Sequence, residues 1–325
     1  MKPLVSILIP AYNAELWIEE TINSALAQTW QNKEIIVVDD GSVDNTLAIA
    51  QKFESPTVKV IHQPNRGASA ARNRALQVAQ GSFIQYLDAD DLLAFDKIER
   101  QIQFVECDCE FAIAGEWARF YHTPAEAAFI SQPLWHDMSP VDWLVCAWEG
   151  NWMMHPAAWL VPQNLAVQAG FWDETLSLND DGEYFFRVIL ASQGVKFCHG
   201  AKSFYRSGMS NSLSGAKSPA AFVSAYQSLE LCTNYLLDRE NTLRTRRVCA
   251  AAFQRFVYDA YPAVPKLRQQ ATSRVQQLGG CEEIVLGGPM FQLLSSVAGW
   301  KLAKVVQQLA YKYGYRQLAI RKTLV

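Results

Sequence analysis

Short apolar runs typical of buried strands alternate with helical segments from residue 5 to residue 87, and this alternation constrains the fold most. The first run is apolar throughout and ends at Pro10, as expected of a strand that is buried on both faces. Strands that alternate with helices form a mostly parallel sheet flanked by helices, so we expect an α/β fold. The predicted strands are 5–9, 34–38, 58–62 and 82–87, and the predicted helices are 15–28, 44–53 and 68–80.

Polar clusters follow three of these predicted strands directly. Tyr12-Asn13 comes after the first strand, Asp39-Asp40 after the second and the acidic segment 88–91 after the fourth. In open α/β sheets, ligands bind beyond the carboxyl ends of the strands. The sequence therefore predicts a binding site at one edge of the sheet.

The C-terminal third reads differently from the rest. From about residue 216 the pattern is helical to the end, so we predict a catalytic domain at 1–215 and a helical region at 216–325, with a boundary near Gly215.

Half of the residues are hydrophobic, enough for a substantial core, and a net charge of −3 gives no basic field for nucleic acid. Seven scattered cysteines and no leader-like N-terminus suggest a reduced, cytoplasmic protein.

The segment LDADD at 87–91 gives the strongest chemical signal. Asp88 and Asp90 are spaced by one residue at a strand end, so both carboxylates can point into one cleft. Hard oxygen ligands suit Mg²⁺ or Mn²⁺, which bridges donor phosphates and offsets charge on a departing diphosphate. The alternative interpretation is a solvated acidic turn that caps the next helix.

Two further segments indicate nucleotide binding. Asp40 ends the second strand, where a carboxylate can accept hydrogen bonds from a ribose or a base N–H, although a helix-capping turn fits as well. Arg72 lies near a predicted helix start, where a guanidinium can pair with diphosphate or base oxygens. Arg66 and Arg74 are interpreted as surface charges.

The segment LNDDGEYFFRVIL at 178–190 places two carboxylates at a helix start. An alcohol that attacks a sugar carbon must lose a proton, and Asp180 or Asp181 can accept it. Glu183 and Arg187 are four residues apart, so a plain helical ion pair is the alternative for those two.

Five motifs occur in one order: PAYN at 10–13, VVDDGSVDNT, NRGASAARN, YLDADD and GFWDETLSLNDDGEYFFR. In this order they resemble family 2 glycosyltransferases over roughly residues 3–215, whose fold is called GT-A. The resemblance implies an inverting single displacement from a nucleotide-diphosphate sugar, most often a UDP-sugar, with Mn²⁺ or Mg²⁺ as cofactor. It also implies a saccharide or lipid-linked acceptor in polysaccharide or glycolipid assembly.

The resemblance also assigns roles to individual positions. It implies Asp181 as the base, with Asp180 beside it, and Glu183 and Arg187 as residues that shape the site. The metal ligands that it implies are Asp90 and Asp88. The donor-binding residues that it implies are Pro10, Tyr12, Asp40, Arg72, Asp88 and Arg206.

One departure from the family pattern affects the metal site. The family often has a histidine near the metal or diphosphate where this chain has Gly208, so one ligand is in doubt. Arg206 can still reach phosphate from the same segment. His199 or His155 can replace the histidine only if it has no structural role, and for both we expect a structural one.

The tail is basic and amphipathic. Residues 284–325 contain six Lys or Arg and no Asp or Glu, and the stretch 298–316 places Leu302, Val305 and Leu309 on one helical face. Such a helix either contacts an anionic membrane surface peripherally or packs on the catalytic domain. The sequence leaves the oligomeric state open.

The sequence also bears on two other function classes. A non-catalytic nucleotide-sugar-binding scaffold would keep the fold without turnover, and the retained acidic motifs argue against it. A nicotinamide-dependent dehydrogenase needs a GxGxxG turn after the first strand, and PAYNAE has no glycine there, which excludes it.

Overall fold

The computed structural model describes residues 2–104, 110–208, 218–281 and 288–312, and the structural statements below concern these residues. The chain forms two compact units, which are described separately. Unit 1 comprises Met1–Ala216 and Gln227–Asn241, and unit 2 comprises Lys217–Tyr226 and Thr242–Val325. The predicted boundary residue Gly215 lies outside the described residues.

Unit 1 contains one eight-stranded sheet, so the predicted α/β class is confirmed. Its strand order is β3-β2-β1-β4-β7-β6-β8-β5. The strands are β1 Val5–Ala11, β2 Lys33–Asp40, β3 Val58–Gln63, β4 Phe83–Tyr86, β5 Leu92–Leu93, β6 Ala112–Phe120, β7 Trp159–Pro162 and β8 Val195–Arg206.

The first four strands are parallel, as their apolar runs predict. β1 lies between β2 and β4, with Ile7 opposite Ile35 and Gln85. The other half of the sheet is mixed, because β7 runs antiparallel to both β4 and β6, whereas β6 and β8 are parallel. The carboxyl ends of β1, β2 and β4 therefore meet at one edge.

Helices cover the sheet of unit 1, and their apolar faces pack against it. The resulting core includes Ile7, Ile9 and Val37 from the strands and Ile22 from the first helix. Helix α2, Thr46–Gln51, starts two residues later than predicted, because the Asp44 carboxylate forms a turn before it by accepting hydrogen bonds from the backbone N–H and hydroxyl of Thr46. The helices are α1 Ile18–Leu26, α2 Thr46–Gln51, α3 Ala68–Val78, α4 Lys97–Phe104, α5 Pro140–Gly150, α6 Gln163–Ala169 and α7 Asp180–Ala191.

Unit 2 is helical in its described part, as predicted for the C-terminal region. Trp300 packs edge-on against Tyr261 and tilted against Tyr258, which ties its last two helices to the rest of the unit. No described helix is both long enough and apolar enough to cross a membrane. The helices are α8 Pro219–Arg239, which continues into unit 1 from Gln227, α9 Leu243–Asp259, α10 Pro265–Gln277, α11 Pro289–Ala298 and α12 Trp300–Lys312.

Candidate active site

An acidic loop at 88–91 follows β4 at the edge where the parallel strands end. Asp91 anchors it from below: this residue is fully buried, accepts a hydrogen bond from the Arg206 backbone N–H at 2.8 Å and contacts His155 Nδ1 at 3.1 Å. The Thr21 hydroxyl contacts two backbone carbonyls of the loop, which fixes it to α1. Since Asp91 faces the interior, Asp90 and Asp88 are the carboxylates of the loop that can face a ligand.

Negative charge is crowded in this loop. Burial, and next the neighbouring Asp91 and Asp88, raise the pKa of Asp90 to about 8. In the described part of the chain, no side chain of another residue donates a hydrogen bond to the Asp90 carboxylate. A carboxylate such as that of Asp90, which its neighbours repel and which has no side-chain donor, is suited to a divalent cation.

The two carboxylates Asp88 and Asp90 fit a Mg²⁺ or Mn²⁺ ion whose other ligands are substrate phosphates and water. Across residues 2–104, 110–208, 218–281 and 288–312, no three His, Cys, Asp or Glu side chains converge on a common ion position. A hard cation of this kind is commonly bound by one or two carboxylates, with substrate phosphates and water as its other ligands. Asp90 and Asp88 match that pattern.

Arg72 connects three segments of the site. Its side chain is buried in α3, donates to Asp88 Oδ1 at 2.8 Å and to Asp180 Oδ2 at 2.8 Å, and stacks at 4.4 Å over the ring of Trp172. Ser69 donates a second hydrogen bond to Asp180. The two carboxylates raise the pKa of Arg72, which stays charged. The structure thus brings together Arg72, Asp88 and Asp180.

Asp181 is not bonded to Arg72 or Ser69, in contrast to its neighbour Asp180. It is half-buried in the first turn of α7, and its carboxylate accepts a hydrogen bond from the Gly182 backbone N–H at 2.8 Å. No side chain of the described residues donates to it. Burial, and next Asp180, raise its pKa to about 6, against the opposing charge of Arg72. Asp181 is therefore a carboxylate poised to exchange a proton near neutral pH.

Glu183 and Arg187 form the helical ion pair that was the alternative interpretation. Glu183 is buried and accepts two hydrogen bonds from the Arg187 guanidinium, both at 2.7 Å. The same guanidinium donates to the backbone carbonyls of Phe171, at 2.9 Å, and Ala169. The pair fastens α7 to the segment after α6, and so positions Asp180 and Asp181 from behind.

Asp40 is buried and shapes the turn that leads into α3. Its carboxylate accepts hydrogen bonds from the backbone N–H of Gly67 at 2.7 Å and of Arg66 at 3.0 Å, and from Gln63 Nε2 at 2.7 Å. Gly67 has φ +93°, a conformation that favours glycine. Asp40 thereby sets the start of the helix that carries Arg72.

The loops after β1 and β2 are bonded to each other. Asn13 accepts a hydrogen bond from the Val43 backbone N–H at 2.9 Å, and its own N–H donates to Ser42 Oγ at 3.0 Å. This contact leaves the ring of Tyr12 about half exposed, next to the buried Pro10 of β1. Tyr12 therefore presents an aromatic face at the same edge as Asp40.

Arg206 braces the acidic loop. Its buried guanidinium donates to the Asp90 carbonyl at 2.8 Å and to Glu20 Oε2 at 2.5 Å. It lies between the rings of Trp17, at 4.3 Å, and Phe120, at 4.4 Å. These contacts occupy two of its three nitrogens. Contact with phosphate, which the sequence suggested, stays a prediction.

Arg66 and Arg74 lie on the surface, as expected from the sequence. Arg66 forms an exposed ion pair with Glu174 at 2.8 Å, and Arg74 is exposed on α3.

No histidine of the described residues joins Asp88 and Asp90 as a third metal ligand. Gly208 has φ +87°, and a Cβ there would lie 3.0 Å from Tyr121 Cδ1, so the position favours glycine over histidine. His155 is buried, contacts Asp91, and its pKa is lowered to about 3 by burial. This neutral side chain has the structural role that the sequence favoured. His199 is exposed on β8.

An aromatic stack under Arg72 was missed by the sequence interpretation. Trp172 and Tyr184 are parallel with ring centroids 4.2 Å apart, and the Tyr184 hydroxyl is 2.8 Å from that of Tyr86. The tryptophan of the GFWDE motif was a signal for it, because a buried arginine is commonly stacked on an aromatic ring. The stack supports the Arg72 guanidinium from one side and so holds it between the Asp88 and Asp180 carboxylates.

Comparisons with known proteins agree on one class. A family model described as Glycosyl transferase family 2 matches residues 6–138. The putative teichuronic acid biosynthesis glycosyltransferase TuaG of Bacillus subtilis is 43% identical over 118 residues, 35% of this chain and 47% of that protein. Glycosyltransferase GlyG of Streptococcus pneumoniae is 28% identical over 63% of this chain and 71% of its own length.

A third relative has a more specific name. The UDP-Glc:alpha-D-GlcNAc-diphosphoundecaprenol beta-1,3-glucosyltransferase WfaP of Escherichia coli is 44% identical over 33% of this chain and 43% of its own length. The chain thus spans less than half the length of TuaG and WfaP.

Solved structures show the same fold. Crystal structures of Staphylococcus aureus TarS 1–349 with UDP and with UDP-GlcNAc superpose with TM-scores of 0.63 and 0.62. Both are 18% identical, and the match covers 86% of this chain and 89% of the other. At this identity the likeness shows the fold, which is the GT-A fold that the motifs predicted.

Proposed function

We propose that this chain, which matches the family model Glycosyl transferase family 2 over residues 6–138, moves a sugar from a nucleoside-diphosphate donor to an acceptor hydroxyl. The observation that carries the proposal is the contrast between two adjacent aspartates at the start of α7. Asp180 is bonded to Arg72 and Ser69, whereas Asp181 has no side-chain partner among the described residues and a pKa raised to about 6. A binding scaffold has no use for such a base.

The proposed reaction is an inverting single displacement. The acceptor oxygen forms a bond to the anomeric carbon while the bond from that carbon to the diphosphate breaks, and Asp181 takes the acceptor proton. Arg72 holds Asp88 and Asp180 in place during the reaction. Asp90 and Asp88 would hold Mn²⁺ or Mg²⁺, which would offset the charge on the leaving diphosphate.

The donor is proposed to be a UDP-sugar, with its base beside Tyr12 and Asp40. Support comes from the similarly folded TarS structures with UDP and UDP-GlcNAc. The names of TuaG and WfaP support a cell-envelope polysaccharide or glycolipid as product and a lipid-linked saccharide as acceptor. The proposed setting is the cytoplasm, with reversible contact to the inner face of the membrane.

The enzymatic proposal is tested with the full chain and a panel of nucleotide sugars in the presence of Mn²⁺. One donor is expected to raise the thermal unfolding midpoint, because ligands that bind only the native state stabilise it, and to be hydrolysed slowly without acceptor. Binding without hydrolysis or transfer for every acceptor offered would favour the scaffold alternative. Absence of binding to any donor would contradict both.

Membrane contact is proposed for the apolar surface of the last two helices. Leu302, Val306 and Leu309 lie on one face of α12 and are 44–51% exposed. The preceding helix α11 adds further exposed apolar residues, Met290, Leu293 and Val297. An anionic bilayer suits this surface, because residues 284–325 carry six basic residues and no acidic one.

Two lysines of α12 provide a matched pair of variants for this proposal. Lys301 is exposed, whereas Lys304 lies over the ring of Tyr258 at 3.7 Å and near Asp259. We expect Lys301→Gln to weaken co-sedimentation with phosphatidylglycerol vesicles about fivefold at low salt, since one surface lysine contributes about 1 kcal/mol. Lys304→Gln is expected to have less effect. Binding that ignores salt, or an unchanged result for Leu302→Ser/Leu309→Ser, would contradict membrane contact.

A further inference from the structure

A second group of side chains lies at the carboxyl ends of β6 and β8. These strands are parallel, with Arg119 opposite Tyr205, and the Ser207 backbone N–H donates to the Phe120 carbonyl just beyond. The last residue of β8, Arg206, is bonded to the acidic loop. Arg119 and Tyr205 therefore lie at the same edge of the sheet as the proposed catalytic carboxylates.

The Arg119 guanidinium is held by neutral groups. It stacks over the ring of Tyr205 at 4.9 Å and lies 5.7 Å from that of Trp117. Its two terminal nitrogens donate to Ser207 Oγ at 3.0 Å and to Met153 Sδ at 3.6 Å. Within the described ranges, no carboxylate lies within 4.0 Å of it. Its charge is thus oriented but not paired.

Other arginines near the site differ in this respect. Arg72, Arg187 and Arg206 are each bonded to one or more carboxylates at 2.5–2.8 Å. Arg119 is exposed to solvent instead. A planar, permanently charged guanidinium that is fixed by stacking has little rotamer freedom left to lose, so it is well prepared to bind an anion.

Two exposed aromatic residues are close neighbours of this group along the chain. Tyr121, 56% exposed, follows β6 two residues after Arg119. Trp152 is 41% exposed and precedes Met153, the residue that Arg119 contacts. Aromatic rings that are apolar in the middle and polar at one end suit a sugar, which has apolar faces and polar edges.

The strand order places this group away from the nucleotide end. Tyr12 follows β1 and Asp40 is the last residue of β2, whereas β6 is separated from β4 by β7. The acidic loop leads from β4 to β5, and β6 lies between these two strands, about 10 Å from each at a spacing of about 4.8 Å per strand. A donor that extends from Asp40 to Asp90 would leave this region for the other substrate.

We propose that Arg119, with Tyr205, Trp152 and Tyr121 around it, forms an acceptor subsite for a saccharide that carries an anionic group. The inference rests on the proposed transferase function and narrows its acceptor class. The anion is a phosphate, a diphosphate or a sugar carboxylate, all of which a guanidinium binds through two parallel hydrogen bonds.

Three acceptors with the same sugar show which anion the subsite binds. An alkyl glycoside is neutral, its alkyl diphosphate counterpart carries a diphosphate and the corresponding uronide carries a sugar carboxylate. For Arg119→Gln we expect kcat/KM for the preferred anionic acceptor, relative to the neutral one, to fall about tenfold or more. Arg119→Lys should recover part of that ratio, since it keeps the charge but not the planar fork. The control Arg100→Gln removes an exposed arginine that is paired with Asp96, and should keep the wild-type ratio.

A direct binding measurement tests this subsite independently of the proposed transferase activity. Calorimetric titration of the full chain with the alkyl diphosphate saccharide, or with the uronide, should give a dissociation constant that weakens about tenfold in Arg119→Gln. A wild-type chain that binds the anionic saccharide but turns over no donor would overturn the transferase and keep the subsite. An equal loss for all three acceptors, or a rise in donor KM instead, would overturn the subsite.

Discussion

Replacing Asp181 by asparagine is expected to lower the rate of sugar transfer about 100-fold or more while the donor still binds. Asparagine keeps the size of the side chain but cannot accept the acceptor proton, and general-base catalysis typically contributes 10²–10⁴-fold. Asp181 has no side-chain partner among the described residues, so its replacement disturbs no other contact there. Transfer rate and donor affinity, measured on the same preparation, check this expectation.

The neighbouring residue provides the control. Asp180→Asn weakens the bonds to Arg72 and Ser69, so we expect weaker donor binding and a lower unfolding midpoint together with slower transfer. Normal transfer by Asp181→Asn with a catalytic defect confined to Asp180→Asn would show that the base is Asp180. Normal transfer by both variants would place the base elsewhere.

The raised pKa of Asp181 adds a pH signature to the same assignment. A base must be deprotonated to act, so kcat/KM should fall as pH drops through about 6, the pKa to which burial and Asp180 raise this carboxyl. Asp181→Asn should lose this acid limb and keep only its residual rate. A wild-type profile that stays flat down to pH 4.5 would contradict the role of Asp181.

The parallel half of the sheet was predictable, whereas the mixed half was not. β1 to β4 are short apolar runs with a turn or a proline at their ends, so local pattern is enough to define them. β8 contains Lys196, His199 and Lys202, and a register shift at Gly115 in its partner β6 breaks the period of two. β5 has two residues and exists only through its pairing with β8.

The site shows the same division between local and long-range information. Asp88 could be placed beside Tyr12 and Asp40 because each comes at or just after the end of a predicted parallel strand. Arg72 and Asp180 were placed in the same site only by the family resemblance. The pairing of Arg206 with Glu20 joins residues 186 positions apart, and nothing in the sequence near either residue indicates it. Likewise, the use of Asp40 to hold the turn at Gly67 depends on the register of β2 and β3, which only the folded sheet sets.

Replacing Asp90 by alanine is expected to abolish transfer nearly completely and to leave the metal-free protein at least as stable as the wild type. Activity should fall because Asp90 and Asp88 are the carboxylates proposed to bind Mn²⁺ or Mg²⁺. Stability should not fall, because the Asp90 pKa is raised to about 8 by burial and by Asp91 and Asp88. A carboxyl whose pKa is higher in the folded than in the unfolded chain costs stability when it ionises, so this cost grows as pH rises from about 4 to about 8.

Unfolding midpoints with and without Mn²⁺ separate these effects. In the wild type, Mn²⁺ should raise the midpoint, and more so at pH 8 than at pH 6, because the cation binds the ionised carboxylates. Asp90→Ala should lose this response, whereas Asp96→Ala, which removes a carboxylate of α4 paired with Arg100, should keep it. Full turnover by the wild type in excess chelator, or an undiminished Mn²⁺ shift in Asp90→Ala, would show that the acidic loop serves the reaction without a metal.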